Sequence, residues 1–308
     1  GACNSDLEII KSGKSDYVIV VPQSPTMIEQ RAAKELNEYL NKIAGVMLPV
    51  VEDNVTPVDY EISIGNTNRL IPLAISLDKL EQDGFYIKTN AHKLYIMGGN
   101  SYGTLYGVYE LLEKYWGCRK YTPAVEVVPQ RSTVLLPANI DDWQVPVITS
   151  RNMLYVCAND NAFFDWLRLT QTPTSWVDRG KWGFWVHTFD RLVPPGKYFD
   201  RHPEYYAMNE KGERVPSQLC LSNPELLNVL CKELDSCISE KPEALYWSVS
   251  QNDNYNYCKC AVCKKVYEEE GSPSGLLIRF INKVAERHSD KIISTLAYQF
   301  TRKAPKLA

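Results

Sequence analysis

The alternation of apolar and polar positions divides the chain into short strands and amphipathic helices almost from its start. Between Asp16 and Gln23 the run Tyr17-Val18-Ile19-Val20-Val21 is β-branched, ends at Pro22 and reads as a buried strand. Ser24 then serves as a helix cap, Pro25 fits the first turn, and Ile28, Ala32, Leu36, Tyr39, Leu40 and Ile43 recur at helical spacing until Gly45 ends the helix. Four short apolar segments follow, Met47 to Val51, Tyr60 to Gly65, Gly84 to Thr89 and Lys93 to Met97, each bounded by Gly, Asn, Pro or Asp. They predict strands. From Ser101 to Trp116 the residues Leu105, Val108, Tyr109, Leu112 and Trp116 share one helical face, and Gly117 closes it. Small strands near Glu126 and Val134 precede a polar link, Asn139-Ile140-Asp141-Asp142. Residues 1–140 thus predict an α/β domain in which helices pack on a mixed sheet.

Beyond the link the spacing changes to strand–helix alternation. Thr149 to Cys157 predicts a strand, Ala162 to Leu169 a helix, Gly183 to His187 a strand, and Gln218 to Leu221 a short one. Asn223 caps a helix with Pro224 in its first turn, running to about Ser239. Ala244 to Ser250 is a strongly apolar strand, Ser272-Pro273 opens a helix to His288, and Ile292 to Tyr298 is a further strand. Residues 141–308 therefore predict the first half of a (β/α)8 TIM-type barrel. A full barrel needs eight such units, about 250 residues, so the chain is expected to stop near strand five.

Composition agrees with two cored domains: 308 residues, 44% of them hydrophobic. Basic and acidic residues nearly balance at a formal charge of -3, and no basic stripe is present to neutralise a phosphate backbone, which excludes nucleic acid as the expected partner. Of the 7 Trp and 19 Tyr, five Trp and four Tyr lie between Trp143 and Tyr206; such rings suit the apolar faces of sugars or fill a core. No apolar run approaches the roughly 18 residues that cross a bilayer. The start Gly1-Ala2-Cys3-Asn4-Ser5-Asp6 resembles a processed bacterial lipoprotein. That implies an extracytoplasmic, periplasmic or cell-surface location, with membrane attachment only through a lipid on Cys3. The 9 Cys are odd in number, and Cys3 is the natural one to stand outside any pairing.

Two groups of motifs carry a family resemblance. Asp83-Gly84-Phe85-Tyr86-Ile87, Leu94-Tyr95-Ile96-Met97-Gly98-Gly99-Asn100 and Gly103-Thr104-Leu105-Tyr106-Gly107-Val108-Tyr109 resemble the N-terminal domain of α-glucuronidases, a fold shared with hexosaminidases, where it precedes a catalytic (β/α)8 barrel. His187-Thr188-Phe189, His202-Pro203-Glu204-Tyr205-Tyr206, Gln218-Leu219-Cys220-Leu221-Ser222-Asn223-Pro224, Ser250-Gln251-Asn252-Asp253 and Cys258-x-Cys260-x-x-Cys263 resemble bacterial domain family of unknown function 4838, described as glycoside hydrolase-like. Physically, Gly103 and Gly107 let a helix lie close on its sheet, so the first domain reads as scaffold. Gly98-Gly99-Asn100 lacks the continuation of a nucleotide loop.

The resemblance implies chemistry on sugars, and barrel enzymes place reactive groups at the C-terminal ends of strands. Glycoside hydrolysis generally needs two carboxyl groups. Asp253, delivered by the strand ending at Ser250, is the first candidate for one of them, although Asn252-Asp253-Asn254 also reads as a structural turn. Asn252 beside it, His187 at the end of the second clear strand, Arg151 in the first barrel strand and Tyr298 at the end of the last are the candidate substrate contacts; Gln299 follows Tyr298. Glu204 reads as a surface carboxylate.

Cys258, Cys260 and Cys263 can bind one face of a tetrahedral zinc ion with Cys220 as fourth ligand, which predicts a structural zinc site pinning the long loop after the Ala244 to Ser250 strand. Disulfides, for example Cys220 to one of the three, are the competing expectation for an exported chain, and free thiols are the remaining one. Cys118, Cys157, Cys231 and Cys237 read as small core residues. The expected function is hydrolysis of glycosidic bonds in a poly- or oligosaccharide, the second carboxylate coming from outside this chain. The alternative is a non-catalytic carbohydrate-binding surface lipoprotein.

Overall fold

A computed structural model describes residues 6–99, 102–153, 155–170 and 182–308. Cys3, the expected lipid site, and Asn100 lie outside them. Among the described residues no helix is long and apolar enough to cross a membrane. The chain divides into two units, Gly1–Pro173 and Thr174–Ala308.

The first unit runs β1 (Leu7–Ile10), β2 (Val18–Val21), α1 (Met27–Ala44), β3 (Val50–Glu52), β4 (Glu61–Ile64), β5 (Phe85–Asn90), β6 (Lys93–Gly98), α2 (Gly103–Glu110), β7 (Arg119–Lys120), β8 (Glu126–Val127), β9 (Val134–Leu136), β10 (Asp141–Gln144) and α3 (Asn161–Trp166). Six strands form one mixed sheet in the order β10-β5-β6-β4-β2-β3, parallel from β6 through β3 and antiparallel at β5 and β10. The apolar stripe of α1 is buried as its spacing predicts, Leu36 and Leu40 completely, each such side chain contributing about 1.5–3 kcal/mol. Its cap is Thr26 rather than Ser24. Thr26 Oγ1 accepts from Glu29 N and the Glu29 carboxylate accepts from Thr26 N, a reciprocal box unavailable to Ser24. Gly45, at φ 71°, ends the helix.

The glycine pair of α2 does what its spacing implies. A Cβ on Gly103 would lie 1.9 Å from Gly84 O, and one on Gly107 2.8 Å from Ile96 Cγ2. Only glycine permits this approach of helix to sheet. The helix passes into a single π turn, Leu111–Tyr115, so that Leu112 and Trp116 still face the core.

Two expectations for this unit require correction. The segment taken as a polar link is strand β10, whose Trp143 sits opposite Tyr86 with rings 5.0 Å apart; it completes the hydrogen bonding of the β5 edge. Conversely, among the described residues no strand spans Thr149 to Cys157. Val147, Ile148, Tyr155 and Val156 are exposed, and Arg151 N donates to Thr170 Oγ1 while Thr170 N donates to Arg151 O, which satisfies that backbone without a ladder. Cys157 is accordingly exposed, not a core residue, whereas Cys118 and Cys231 are buried.

The second unit runs β11 (Trp182–Phe184), α4 (Phe189–Leu192), α5 (Pro195–Tyr198), β12 (Tyr206–Met208), β13 (Arg214–Leu219), α6 (Pro224–Glu240), β14 (Tyr246–Ser248), α7 (Ala261–Glu270), α8 (Ser274–Arg287) and β15 (Ile292–Ser294). Strands β11, β14 and β15 form a parallel sheet in that order, each joined to the next through helices. Trp247 at its centre is buried in one core cluster with Leu230 and Leu234 of α6 and Phe280 and Val284 of α8. Asn223 caps α6 by accepting from Glu225 N and Leu226 N, as predicted. The Gln218 to Leu221 segment is corrected: it ends the antiparallel hairpin β12–β13, turned at Gly212, and is not a parallel strand. Of five parallel strands expected, the described residues show three.

Candidate functional site

The C-terminal ends of three adjacent parallel strands converge in the second unit. His187 follows β11, Gln251 to Asp253 follow β14, and Tyr298 and Gln299 follow β15. His187 Nδ1 lies 2.8 Å from Gln251 O. A carbonyl only accepts, so the neutral imidazole carries its proton on Nδ1 and keeps the lone pair on Nε2. The His187 ring is 5.9 Å from that of Tyr298, which is 42% exposed. Gln299 Nε2 donates to Asp253 Oδ1 at 2.8 Å. Of the candidates named from sequence, His187, Asn252, Asp253 and Tyr298 are thus brought together.

The backbone is strained at the same place. His187 has φ 53° and Gln299 φ 51°, the two non-glycine residues with positive φ among the described residues of this unit. Such conformations cost about 1–3 kcal/mol and collect at functional sites. Gln251 Oε1, Thr295 Oγ1 and Gln299 Oε1 are buried without a hydrogen-bond partner, which leaves polar capacity at these strand ends.

Asn252 has a different part from its neighbour. It is buried, its Oδ1 accepts from Asp190 N, and its Nδ2 donates to Asp190 Oδ1 and Ser217 O. Gln218 adds reciprocal bonds, donating to Asn252 O at 2.8 Å and accepting from Asn252 N at 3.1 Å. The amide side chains hold the turn, and Asp253 is left exposed at its tip. Alongside runs a cleft of about 620 Å³ between hairpin and loop, lined by Glu210, Ser217, Tyr255, Asn256, Tyr257 and Lys259. Tyr255 is 65% exposed, and Tyr257 stacks on Phe300 with Lys259 Nζ 3.4 Å from its ring centre. The alternation Asn254-Tyr255-Asn256-Tyr257 was the available signal for this wall.

Arg151 belongs to the first unit. Its guanidinium donates to Arg168 O, Ile148 O and the Asp83 carboxylate at 2.7, 2.6 and 3.1 Å, so its donors are engaged locally rather than at a strand end. Glu204 is exposed beside His202, 3.0 Å away.

Cys220, directly after β13, meets Cys258, Cys260 and Cys263, with all four sulfurs within 4.8 Å of one another. The Sγ–Sγ separations from Cys220 to Cys260 and to Cys263 are both 3.8 Å, and all eight described cysteines are free. S–H donation from Cys258 and Cys263 favours the thiolate of Cys220 and pulls it far below the usual thiol range, while that neighbour pushes Cys258 up to about 11.

An α/β chain whose strand ends gather a histidine, a carboxylate, amides and an exposed tyrosine has the general plan of an α/β protein with its site at the carboxyl edge of a parallel sheet. The chain belongs to the family described as domain of unknown function DUF4838, whose model matches residues 120–308. Residues 9–111 match the glycosyl hydrolase family 67 N-terminus. Among curated proteins no relative is found. Of solved structures, a family GH115 4-O-methyl-α-glucuronidase with specificity for decorated arabinogalactans is similar at 11% identity and TM-score 0.51, over 94% of this chain and 43% of that one. A Streptomyces plicatus β-hexosaminidase (12%, TM-score 0.44; 94% and 62%) and a Flavobacterium johnsoniae chitobiase (14%, TM-score 0.47; 95% and 50%) also match. The chain spans about 43–62% of the length of these structures.

Proposed function

We propose that the protein is carbohydrate-active, that the three parallel strands belong to a TIM-type barrel completed in a longer polypeptide, and that a glycan lies across the ends of β11, β14 and β15. The observation that carries this reading is the convergence of His187, Asp253, Tyr298 and Gln299 on those ends, two of them in left-handed backbone. The match to a glycosyl hydrolase N-terminus and the fold shared with the α-glucuronidase support it.

In this reading the exposed carboxylate of Asp253 accepts from sugar hydroxyls and serves as one of the two carboxyl groups of hydrolysis, oriented by Gln299. The lone pair on His187 Nε2 accepts a further hydroxyl, the ring of Tyr298 offers an apolar face to a pyranose, and Tyr255 extends that surface along the cleft. Asn252 positions Asp253 without touching the sugar.

Asp253→Asn in the full-length polypeptide tests the reading against a panel of oligosaccharides that includes decorated arabinogalactan. Hydrolysis of a responsive glycan is expected to fall at least about a hundredfold, the scale of losing an acid–base group. Unchanged turnover removes Asp253 from the chemistry. Glycan binding without turnover in the wild type favours the non-catalytic alternative.

A further inference from the structure

We propose that Cys220, Cys258, Cys260 and Cys263 hold one zinc ion as a closed tetrathiolate that fastens the loop carrying Asp253 to the end of β13. A tetrahedron with zinc–sulfur bonds of about 2.3 Å has sulfur–sulfur edges of about 3.8 Å. The separations from Cys220 to Cys260 and Cys263 are both 3.8 Å, and the remaining sulfurs fall inside the same 4.8 Å sphere. A disulfide requires about 2.05 Å. The sulfurs are therefore spaced as ligands of one ion and not as bonded pairs.

The surroundings favour negative charge on sulfur. Met208 N lies 3.3 Å and Arg214 Nη1 3.8 Å from Cys258 Sγ, and both can only donate. Cys260 caps the N-terminus of α7 and Cys263 lies in its first turn, where the helix dipole is positive. Four thiolates around a divalent ion carry a net charge of minus two, and Arg214 with these amides offsets part of it. Binding forms four zinc–sulfur bonds as the remaining S–H protons pass to solvent, without oxidation.

Four protein ligands leave no open coordination position, so the ion is structural. The ligands come from two places only, the end of β13 and the segment entering α7. Between them the turn at Asn252 is held by Gln218, two residues before Cys220. Zinc therefore closes the far end of a loop whose near end the amides already hold, and both wall residues Tyr255 and Tyr257 lie between these ties.

The test is metal analysis of the purified full chain. About one zinc per chain is expected, released as a thiol-reactive mercurial titrates four cysteines, and below about a tenth of that in Cys220→Ser and Cys258→Ser. Because those variants can fail to fold, the wild type is also reconstituted with cobalt; intense thiolate-to-cobalt and tetrahedral d–d absorption is expected and is lost on adding excess zinc. A soluble, folded wild type free of zinc, a mass lower by two hydrogens per bridged pair, or stoichiometric iron with ferric–thiolate colour overturns the proposal. Glycan binding is measured separately, so failure here leaves the functional reading standing.

Discussion

Gln299 donates its side-chain amide to the Asp253 carboxylate at 2.8 Å while its own backbone sits at φ 51°. A side chain in the loop after β15 thereby fixes a side chain in the loop after β14, and it does so from a conformation that a side chain normally avoids. The position is bought with local strain, and the two contributions can be separated by substitution.

Gln299→Gly removes the hydrogen bond and relieves the left-handed backbone, whereas Gln299→Ala removes the bond and keeps the strain. The glycine variant is expected to unfold within about 1 kcal/mol of wild type and the alanine variant about 1 kcal/mol below the glycine one. Both should bind a responsive glycan about tenfold more weakly in titration calorimetry. Equal denaturation midpoints for the two variants would sink the strain argument.

Asn252→Ala leaves Asp190 N and Asp190 Oδ1 without their partner and leaves Ser217 O with Asn254 Nδ2 as its donor. A loss of about 2–4 kcal/mol is expected in chemical denaturation. Asn252→Asp sets a second carboxylate against Asp190 Oδ1 and against the Ser217 carbonyl, to neither of which an ionised carboxylate can donate. Its deficit should be at least as large at neutral pH and should shrink as the pH falls through the carboxylate range, since protonation restores a donor. A pH-independent deficit contradicts this.

Glu61 is 1% exposed and accepts from Arg69 Nε and Nη2, both at 3.1 Å, and from Lys93 Nζ at 3.0 Å. Burial pushes its pKa up, but the bonds from Arg69 and Lys93 more than offset this and hold it below the usual range. A lowered folded-state pKa means stability present above the unfolded glutamate value of about 4.3 and lost as the pH falls through the folded one. Glu61→Gln is expected to cost about 3–5 kcal/mol near pH 7 and to flatten the acid side of the stability profile. Parallel acid limbs for variant and wild type would refute the coupling.

Gly183 in β11 lies against the Trp247 ring, where an added Cβ would come within 2.4 Å. Trp247 is 1% exposed and has no room to yield. Gly183→Ala is expected to cost about 1–3 kcal/mol by overpacking, with a shift in tryptophan emission. Wild-type stability would show that the ring can move.

Local pattern carried much of the fold. The apolar periods of α1, α2, α6 and α8 were legible because a helix buries one face wherever it lands, and the close approach of α2 followed from Gly103 and Gly107. Asp253, His187 and Tyr298 were legible as strand-end residues. That Asn252 is wholly engaged in holding the turn was not, since its partners Asp190 and Ser217 lie 62 and 35 residues away along the chain.

By itself, the sequence determined the helices α1, α2, α6 and α8, the Asn223 cap and the three clustered cysteines, because each depends on neighbours within a few residues. Only the tertiary structure decided that Asp141–Gln144 joins β5, that the described residues between Thr149 and Cys157 form no strand, and that Arg214–Leu219 folds back as a hairpin. Strand pairing depends on which sheet edge is open, and no local period records that. Cys220 was named from the sequence as the fourth ligand, and the structure sets it 3.8 Å from Cys260, 40 residues on, where Lys259 N bonds Met208 O of the β12–β13 hairpin.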